Sequence, residues 1–422
     1  MMRTTPLLTL TTLFALGAGL ATPAHADDAD ALSLQAAPAP AAAAESPLRA
    51  ALELGVGRID LRNPSDTRDA HRASLDLRYS TRLNDAWRLT LSDRLDDTHP
   101  APAGQHATMN SLREAFVGWQ ADPATSLDFG RINWRQGPAY GWNPTDYFRS
   151  GGLRTITTAD PVALREMRMG TVMARFGRLW DGGGVSLALA PKLADAPSTS
   201  PGSLDLGATN AQNRALLTVN SRFSDRVSAQ GLLLLQHGTA PTLGASATAL
   251  ASDALVAYAE WSSGKTVSLI DQVSGSAPTQ RRTQQASVGL TYTLPTDLAL
   301  TVEAEYNGAG LDSAGWNSLF NQGPAAYQRY QVLTQPSQEL GTRRAWLFYA
   351  SQKGLGLKQL DLTGFVRVNA IDHSRLVWAE LRYHWPRFDA ALQWQRAYGD
   401  TLSEFGFMPY RQVVQLLGTF YF

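Results

Sequence analysis

Cysteine is absent from the 422 residues of this chain. Disulfide bonds therefore contribute nothing to the fold, and stability must come from a large core or from a barrel closed in lipid. The chain also lacks a net charge, because Lys and Arg together number 37 and Asp and Glu together number 37. No overall field attracts nucleic acid, so we expect no nucleic-acid partner.

Long apolar runs are absent as well. Beyond Leu20, no segment approaches the ~20 consecutive apolar residues that a transmembrane helix needs, and the mean hydropathy is −0.20. These features exclude a helical membrane protein. They are compatible with a transmembrane β-barrel, whose alternating strands keep the average hydropathy low.

The N-terminus has the three parts of a secretory signal. Arg3 supplies a positive charge, Leu7–Leu20 is mostly apolar, and Ala24-His25-Ala26 has the small-residue spacing of a cleavage site. The apolar part is too short to cross a bilayer. We therefore expect residues 1–26 to be a cleaved signal peptide that exports the chain by the Sec pathway.

The segment that follows has a biased composition. Residues 36–47 are rich in Pro and Ala, which cannot build a packed core. This predicts a flexible periplasmic tail over 27–48, ahead of a barrel over 49–422. The alternative is that the tail contacts a periplasmic partner.

From Arg49 onward, segments of about ten residues alternate apolar and polar side chains, the length of a tilted strand that crosses a bilayer. Leu75, Leu77 and Tyr79 form one such apolar row. The pattern predicts an all-β fold, a transmembrane antiparallel up-and-down β-barrel. We expect about eighteen strands, within a range of about 16–18.

The connections between these segments fall into two groups. Short turns, such as Asn84-Asp85 and Ser263-Gly264, alternate with longer segments, such as His237–Ala251 and Gly308–Thr342. Transmembrane barrels sort their connections in this way, with short periplasmic turns and long extracellular loops. Soluble β-sandwiches and propellers do not.

The last segment, Gln412–Phe422, alternates and ends on an aromatic residue. It resembles the closing strand of Gram-negative outer-membrane β-barrels of the porin type. Gly130-Arg131 ahead of Asn143-Pro144 is also similar to large barrels of the alginate-export type. The resemblance implies a bacterial outer-membrane location, contact with lipid and lipopolysaccharide, and insertion by the barrel assembly machinery with Phe422 as the assembly signal.

A barrel of this size encloses a water-filled lumen into which the polar residues of each strand point. We expect a basic wall opposite an acidic wall, which creates a transverse field that orients polar or zwitterionic solutes. The alternative is that these charges form cross-strand pairs that only balance one another. The pore-lining residues predicted in this way are Arg78, Arg82, Arg88, Arg94, Glu260, Glu303 and Glu305.

One long connection, Asn133–Ala163, is rich in aromatic residues. Within it Asn143 suits an N-cap, Pro144 the first helical position and Asp146 the third, which predicts a short helical turn. The loop resembles the constriction loop of porins, which folds inward and narrows the lumen. The alternative is an extracellular lid packed on neighbouring loops. The candidate constriction residues are Arg131, Arg135, Asn143, Asp146 and Arg149.

Catalytic patterns are missing. The seven His residues are scattered and show no metal-ligand spacing. Asp372-His373-Ser374 cannot form a triad along a strand, because adjacent residues point to opposite faces. We expect no enzyme, metal or cofactor. The predicted function is an outer-membrane channel for the passive passage of small polar or charged solutes. The alternatives are an export conduit for a polysaccharide (a glycan partner) and a plugged receptor or adhesion barrel.

The assembly role of Phe422 can be tested by deleting that residue. We expect slower insertion into the outer membrane, because the aromatic end of the closing strand is the expected contact of the assembly machinery. Pore properties of the molecules that do insert should be unchanged. The measurement is the heat-modifiable, folded fraction in isolated outer membranes. Normal insertion of the shortened chain would show that Phe422 is an ordinary interfacial residue.

Overall fold

The computed structural model describes residues 46–62, 66–101, 106–275 and 279–422. The expected signal peptide, 1–26, and nearly all of the expected tail, 27–48, lie outside these residues. The described chain forms one antiparallel sheet of eighteen strands, in which the first strand pairs with both the second and the last. The sheet is therefore a closed barrel, which confirms the predicted fold class and strand number.

The strands and helices are numbered in chain order. The strands are β1 (Leu48–Leu61), β2 (Thr67–Arg82), β3 (Trp87–His99), β4 (Thr108–Asp122), β5 (Thr125–Ile132), β6 (Thr171–Trp180), β7 (Gly183–Ala190), β8 (Arg214–Ser224), β9 (Val227–Gln236), β10 (Thr242–Ser252), β11 (Leu255–Val267), β12 (Gln280–Thr293), β13 (Leu298–Asn307), β14 (Arg344–Gln352), β15 (Leu360–Asn369), β16 (Arg375–Trp385), β17 (Phe388–Tyr398) and β18 (Tyr410–Tyr421). The helices are α1 (Pro161–Met167), α2 (Leu206–Thr209), α3 (Leu269–Ser274), α4 (Ser313–Asn321) and α5 (Pro324–Ser337).

Alternation along each strand decides which side chains point outward. In β18, Leu416 and Phe420 are exposed on the outside, whereas Leu417 and Thr419 are buried on the inside. The same strand closes the barrel in register with β1, where Ala51 lies opposite Tyr421. Because side chains have a period of two, this register keeps the apolar rows of both strands on the outer surface.

One end of the barrel, the turn end, carries the connections at residues 83–86, 123–124, 181–182, 225–226, 253–254, 294–297, 353–359 and 386–387. The opposite end, the loop end, carries all the others. Three loop-end connections are as short as turns, namely 62–66, 237–241 and 370–374. The two ends therefore differ in their longest connections rather than in every connection.

The boundaries predicted around β10 and β11 are wrong. His237–Ala251 is mostly strand, Ser263 and Gly264 lie inside β11, and the turn falls at 253–254. In β10 the outward row is mostly Ala and the inward row is mostly Gly, Ser and Thr, so the sequence contrast between its faces is weak. Gly264 permits close packing there, because a Cβ at this position would lie 2.3 Å from the Thr242 hydroxyl.

Helices α3, α4 and α5 pack together over part of the loop end. Trp316, Leu319 and Tyr330 form the centre of this apolar cluster. The Tyr330 hydroxyl donates to Glu404 in the loop between β17 and β18 at 2.7 Å. Burial in this cluster raises the pKa of Glu404 to about 7. The helices and that loop therefore form one cap.

Aromatic rings mark the turn end on the outer surface. The exposed rings in this row include Trp87, Trp119, Trp180, Tyr292, Trp385 and Phe420. Aromatic girdles of this kind lie at membrane–water interfaces, where a ring contacts lipid and a polar atom contacts water. Among the described residues, no helix is long and apolar enough to span a bilayer.

Candidate functional site

Residues 133–170, the inner loop, connect β5 to β6 and lie inside the barrel. Inward-pointing side chains of distant strands bond to the inner loop along its length. It is longer than the predicted 133–163 because it includes α1. Asp160 caps that helix by accepting from the Val162 amide at 3.1 Å.

Glu260 on β11 holds the first part of the inner loop. One carboxylate oxygen accepts from the Ala139 amide at 2.7 Å and from the Asn143 side chain at 2.9 Å. The other accepts from the Thr145 amide at 3.2 Å and from the Thr145 hydroxyl at 2.6 Å. The Glu260 side chain is fully buried. Four donors therefore satisfy both oxygens of a buried carboxylate, which offsets its desolvation.

This arrangement replaces the helical turn predicted at Asn143. The Asn143 side chain donates to Glu260 and to the Ala139 carbonyl at 2.7 Å. The Thr145 amide, which an N-cap would have bonded, donates to Glu260 instead. The chain from Asn143 to Arg149 forms consecutive turns, and the only helix in the inner loop is α1. The helix prediction at Asn143 is wrong because a long-range acceptor competes for the same amide.

Glu303 on β13 holds the next residues. Its carboxylate accepts from the amides of Tyr140 at 2.8 Å, Gly141 at 3.1 Å and Trp142 at 3.2 Å. The Tyr258 hydroxyl donates to the same carboxylate at 2.7 Å. Consecutive backbone amides that converge on one carboxylate fix the path of the chain, as in an anion-binding nest.

Glu305, two residues further along β13, acts through a cation. Arg367 on β15 pairs with Glu305 at 3.0 Å and donates to the Gly141 carbonyl at 2.7 Å. A Cβ at Gly141 would lie 2.3 Å from the Glu305 carboxylate. Glycine is therefore required for the inner loop to approach this wall so closely.

The opposite wall bonds to the later part of the inner loop. Arg72 on β2 donates to the Thr157 carbonyl and pairs with Glu53 on β1 at 2.9 Å. The Thr155 hydroxyl donates to Asp96 on β3 at 2.6 Å. The inner loop therefore crosses the lumen from the wall of β11–β15 to the wall of β1–β3.

The predicted acidic pore-lining residues point inward, but the inner loop covers them. Glu260, Glu303 and Glu305 are 1 %, 0 % and 3 % exposed. In the structure these carboxylates interact with backbone amides of the inner loop and with Arg367. They do not interact with Arg78 or Arg82. The acidic half of the expected transverse field is thus enclosed by protein.

The predicted basic residues divide into two pairs. Arg88 and Arg94 point inward and are paired with Asp128 at 2.9 Å and with Asp96 at 2.9 Å. Arg78 and Arg82 also point inward, near the turn end, and are exposed. Within the part of the chain that the structure describes, neither forms an ion pair.

The constriction candidates are placed differently from one another. Asn143, Asp146 and Arg149 are buried inside the inner loop, where Asp146 pairs with Arg168 at 2.7 Å and Arg149 with Glu339 at 2.5 Å. Arg135 is partly exposed and lies 3.6 Å from Glu166.

Arg131 is not in the lumen. It shares the outward row of β5 with Leu127 and Phe129 and donates to the Leu204 carbonyl at 2.6 Å, in the connection between β7 and β8. Leu127, Phe129 and Arg131 occupy every second position of β5, so they share one face of the strand. The apolar side chains of Leu127 and Phe129 indicate that this is the outer face. The prediction grouped this residue with the following loop instead.

Sequence reasoning also missed several cations that organise the interior. Arg165 on α1 donates to the carbonyls of Gln136 and Gly137 at 3.1 Å and of Ala139 at 3.2 Å. Burial lowers the pKa of Arg165 to about 10. The inward orientation of Arg72 could have been predicted from the alternation of β2, because Arg72 lies four residues before the inward residue Asp76. Nothing local to Arg165 indicates its partners.

A cavity of about 770 Å³ lies between the inner loop and the turn end. Its lining is strongly charged, with both signs represented. The charged lining residues are Glu53, Arg72, Arg88, Arg94, Arg135, Asp160, Arg165, Glu166, Arg175, Lys353, Asp361, Glu380 and Arg382. A smaller cavity of about 230 Å³ lies on the other side of the inner loop, beside Tyr147 and Gln285. The inner loop therefore separates two polar spaces.

The closed barrel of eighteen strands is similar in fold to solved Gram-negative outer-membrane porins. The structure is similar to that of OccAB1 from Acinetobacter baumannii at 11 % identity, covering 89 % of this chain and 97 % of that chain with a TM-score of 0.56. It is also similar to OccK8 (OprE) from Pseudomonas aeruginosa at 10 % identity, covering 89 % of this chain and 98 % of that chain with a TM-score of 0.53.

The fold is a porin fold. OccK5 (OpdH) from Pseudomonas aeruginosa has the same TM-score of 0.53 at 10 % identity, over 89 % of this chain and 97 % of that chain. No family model matches the chain, and no curated protein sequence matches it either. At such identities the likeness concerns the architecture of the porin fold.

The anchoring of the inner loop can be tested at Gly137. Its φ is +84°, and a Cβ there would lie 2.3 Å from both carboxylate oxygens of Glu260. We expect Gly137→Ala to weaken the Glu260 contacts by at least about 1 kcal/mol. Hydrogen exchange of the amides at Ala139 and Thr145 should accelerate. Gly202→Ala is the matched control, since nothing lies within 4 Å of a Cβ there. Equal protection in both variants would contradict the anchoring role.

Proposed function

We propose that this protein is a porin-like channel of the bacterial outer membrane, through which small polar or charged solutes pass by diffusion. The observation that carries the proposal is the inner loop, which crosses the lumen and bonds to both walls between two polar cavities. A water-filled lumen explains the charged lining, which would be prohibitive in a dry interior.

In this proposal the turn end faces the periplasm and the loop end faces outside, as in transmembrane barrels generally. The outward apolar rows contact lipid, and the exposed rings of Trp87, Trp385 and Phe420 lie at the inner interface. The inner loop is then the constriction, because it occupies cross-section that eighteen strands alone would leave open.

The constriction can be tested by replacing Glu260 with Gln. Each carboxylate oxygen accepts two hydrogen bonds, so an amide places one NH₂ group against two donors. We expect the inner loop to lose roughly 2–4 kcal/mol of anchoring free energy. The single-channel conductance in planar bilayers should rise as the lumen widens.

Glu166→Gln is the matched control for that experiment. Glu166 lines the same cavity, but it is partly exposed, and its pairing with Arg135 at 3.6 Å is weak. Its conductance should stay close to that of the unmodified protein. If Glu260→Gln loosens the inner loop by hydrogen exchange and conductance does not change, the inner loop is not the constriction. If the unmodified protein shows no conductance at all, the channel proposal is wrong and the plugged receptor barrel becomes the favoured function.

Charge at the turn end favours anions in this proposal. Arg78 and Arg82 face the lumen there and are exposed. On the opposite wall the inward residues at the turn ends of β10 to β13 include Thr248, Thr291 and Thr301, which carry no charge. Between these two walls, the charge is therefore basic on the β2 side alone.

The double variant Arg78→Glu and Arg82→Glu should shift the reversal potential in a salt gradient towards that of a cation-preferring channel. The physical reason is that four units of negative charge are added at one mouth of a narrow aqueous path. Arg226→Glu, in the exposed turn between β8 and β9, is the control and should cause no shift. An unchanged reversal potential in the double variant would remove these arginines from ion selection.

A further inference from the structure

The outer surface carries an unusual distribution of charge at the loop end. On strands β11 to β17, the register places four arginines on the outward rows: Arg282, Arg344, Arg375 and Arg396. We call these four residues the arginine arc. Lys265 lies directly opposite Arg282 in the register. Over the described residues of these strands, no outward position is acidic.

The arginine arc is not neutralised by the protein. In the residues that the structure describes, none of its four members forms an ion pair. Arg375 and Arg396 both lie over the Tyr398 ring, at 5.0 and 4.9 Å from its centroid. The side chains of Arg282, Arg344 and Arg375 are exposed. The fold therefore holds these guanidinium groups on the outer surface without an acidic partner among the described residues.

The height of two members of the arginine arc, Arg282 and Arg375, coincides with a membrane boundary. Arg282 lies ten residues from Tyr292, and Arg375 lies ten residues from Trp385, both of which are rings of the turn-end belt. Ten residues span about 33 Å along a strand, which a tilt of about 40° reduces to about 25 Å. The apolar band of a transmembrane barrel is also about 25 Å tall. Arg282 and Arg375 therefore lie where the head groups of the outer leaflet begin.

A second sector of the rim has the opposite charge. On β1 to β3, the outward residues at the loop end include three carboxylates, Asp60, Asp69 and Asp97. The one arginine among them, Arg58, lies ten residues from Leu48 and is paired with Asp69 at 3.6 Å. Charge is thus sorted between these two sectors, so an anionic ligand would favour β11 to β17 over β1 to β3.

We propose that the arginine arc binds the phosphate groups of lipopolysaccharide in the outer leaflet. Guanidinium groups match phosphate oxygens in bidentate geometry, and they are less costly to bring to an interface than ammonium groups. The acyl chains lie against the apolar rows below, such as Leu290 and Val377, with Trp346 and Trp394 at the interface. The inference rests on the outer-membrane location proposed above, although not on conduction.

The test measures the binding of diphosphorylated lipid A to the full-length mature protein folded in detergent. Native mass spectrometry across a titration of the lipid gives the affinity. The variant replaces all four arginines by Gln. A basic residue near an anionic lipid surface contributes about a fivefold change in affinity. We therefore expect affinity to fall by at least about a hundredfold, and lipid A without phosphates should bind both proteins equally weakly.

Arg58→Gln is the matched control, since Arg58 occupies the same height on the acidic sector. It should bind lipid A as the unmodified protein does. Heat-modifiable migration confirms folding of each variant. If the fourfold variant does not fold, Arg282→Gln and Arg375→Gln are measured singly, each with an expected loss of about fivefold.

Three outcomes would overturn the proposal: unchanged affinity in the arc variants, an equal loss in Arg58→Gln, or tight binding of lipid A that lacks phosphates. Because binding is measured without a bilayer, it is independent of conductance. A protein that binds lipid A through the arc and does not conduct would contradict the channel while leaving the lipid site intact.

Discussion

The interior depends on two buried carboxylates that bind backbone amides. Glu260 and Glu303 accept from the inner loop over residues 139–145, and they are positioned by β11 and β13. An ionised carboxylate away from water is costly unless donors surround it, and here each has at least four. The inner loop supplies the donors that the wall lacks, and the wall supplies the acceptors that the loop lacks. Neither part is satisfied without the other, so the path of the loop and the strand register support one another.

This dependence changes how the charges of the lumen are distributed. The acidic residues are buried because they bind the inner loop, whereas the side chains of Arg78 and Arg82 are exposed to the lumen near the turn end. On the outer surface, charge is separated in a similar way, with the arginine arc on one sector and carboxylates on another. A chain of zero net charge therefore carries strong local fields. The net charge governs how the whole molecule attracts charged partners. The strand register decides which charged side chains face each surface, and so sets the local field there.

Much of the fold could be predicted because a transmembrane strand is a local pattern. Apolar and polar residues alternate with a period of two, and nothing beyond neighbouring residues is needed to recognise this. The prediction failed at β10 and β11, where small residues on both faces weaken the alternation, as around Gly264. The site was predicted less well. The inward orientation of Glu303 follows from alternation, but its partner Tyr140 is 163 positions earlier in the chain.

The sequence by itself determined the class of the protein: alternating strands without disulfides or membrane helices, ordered so that they close as a barrel of eighteen strands. Only the tertiary structure decided what the charged residues do. It turned Arg131 to the outer face, replaced an expected helical turn at Asn143 with bonds to Glu260, and placed four arginines on the outward rows near the loop end. The physical reason is the distance along the chain over which each kind of information acts. Periodicity is encoded within each segment, whereas hydrogen bonds across a lumen and charge sectors around a circumference exist only after the strands have paired.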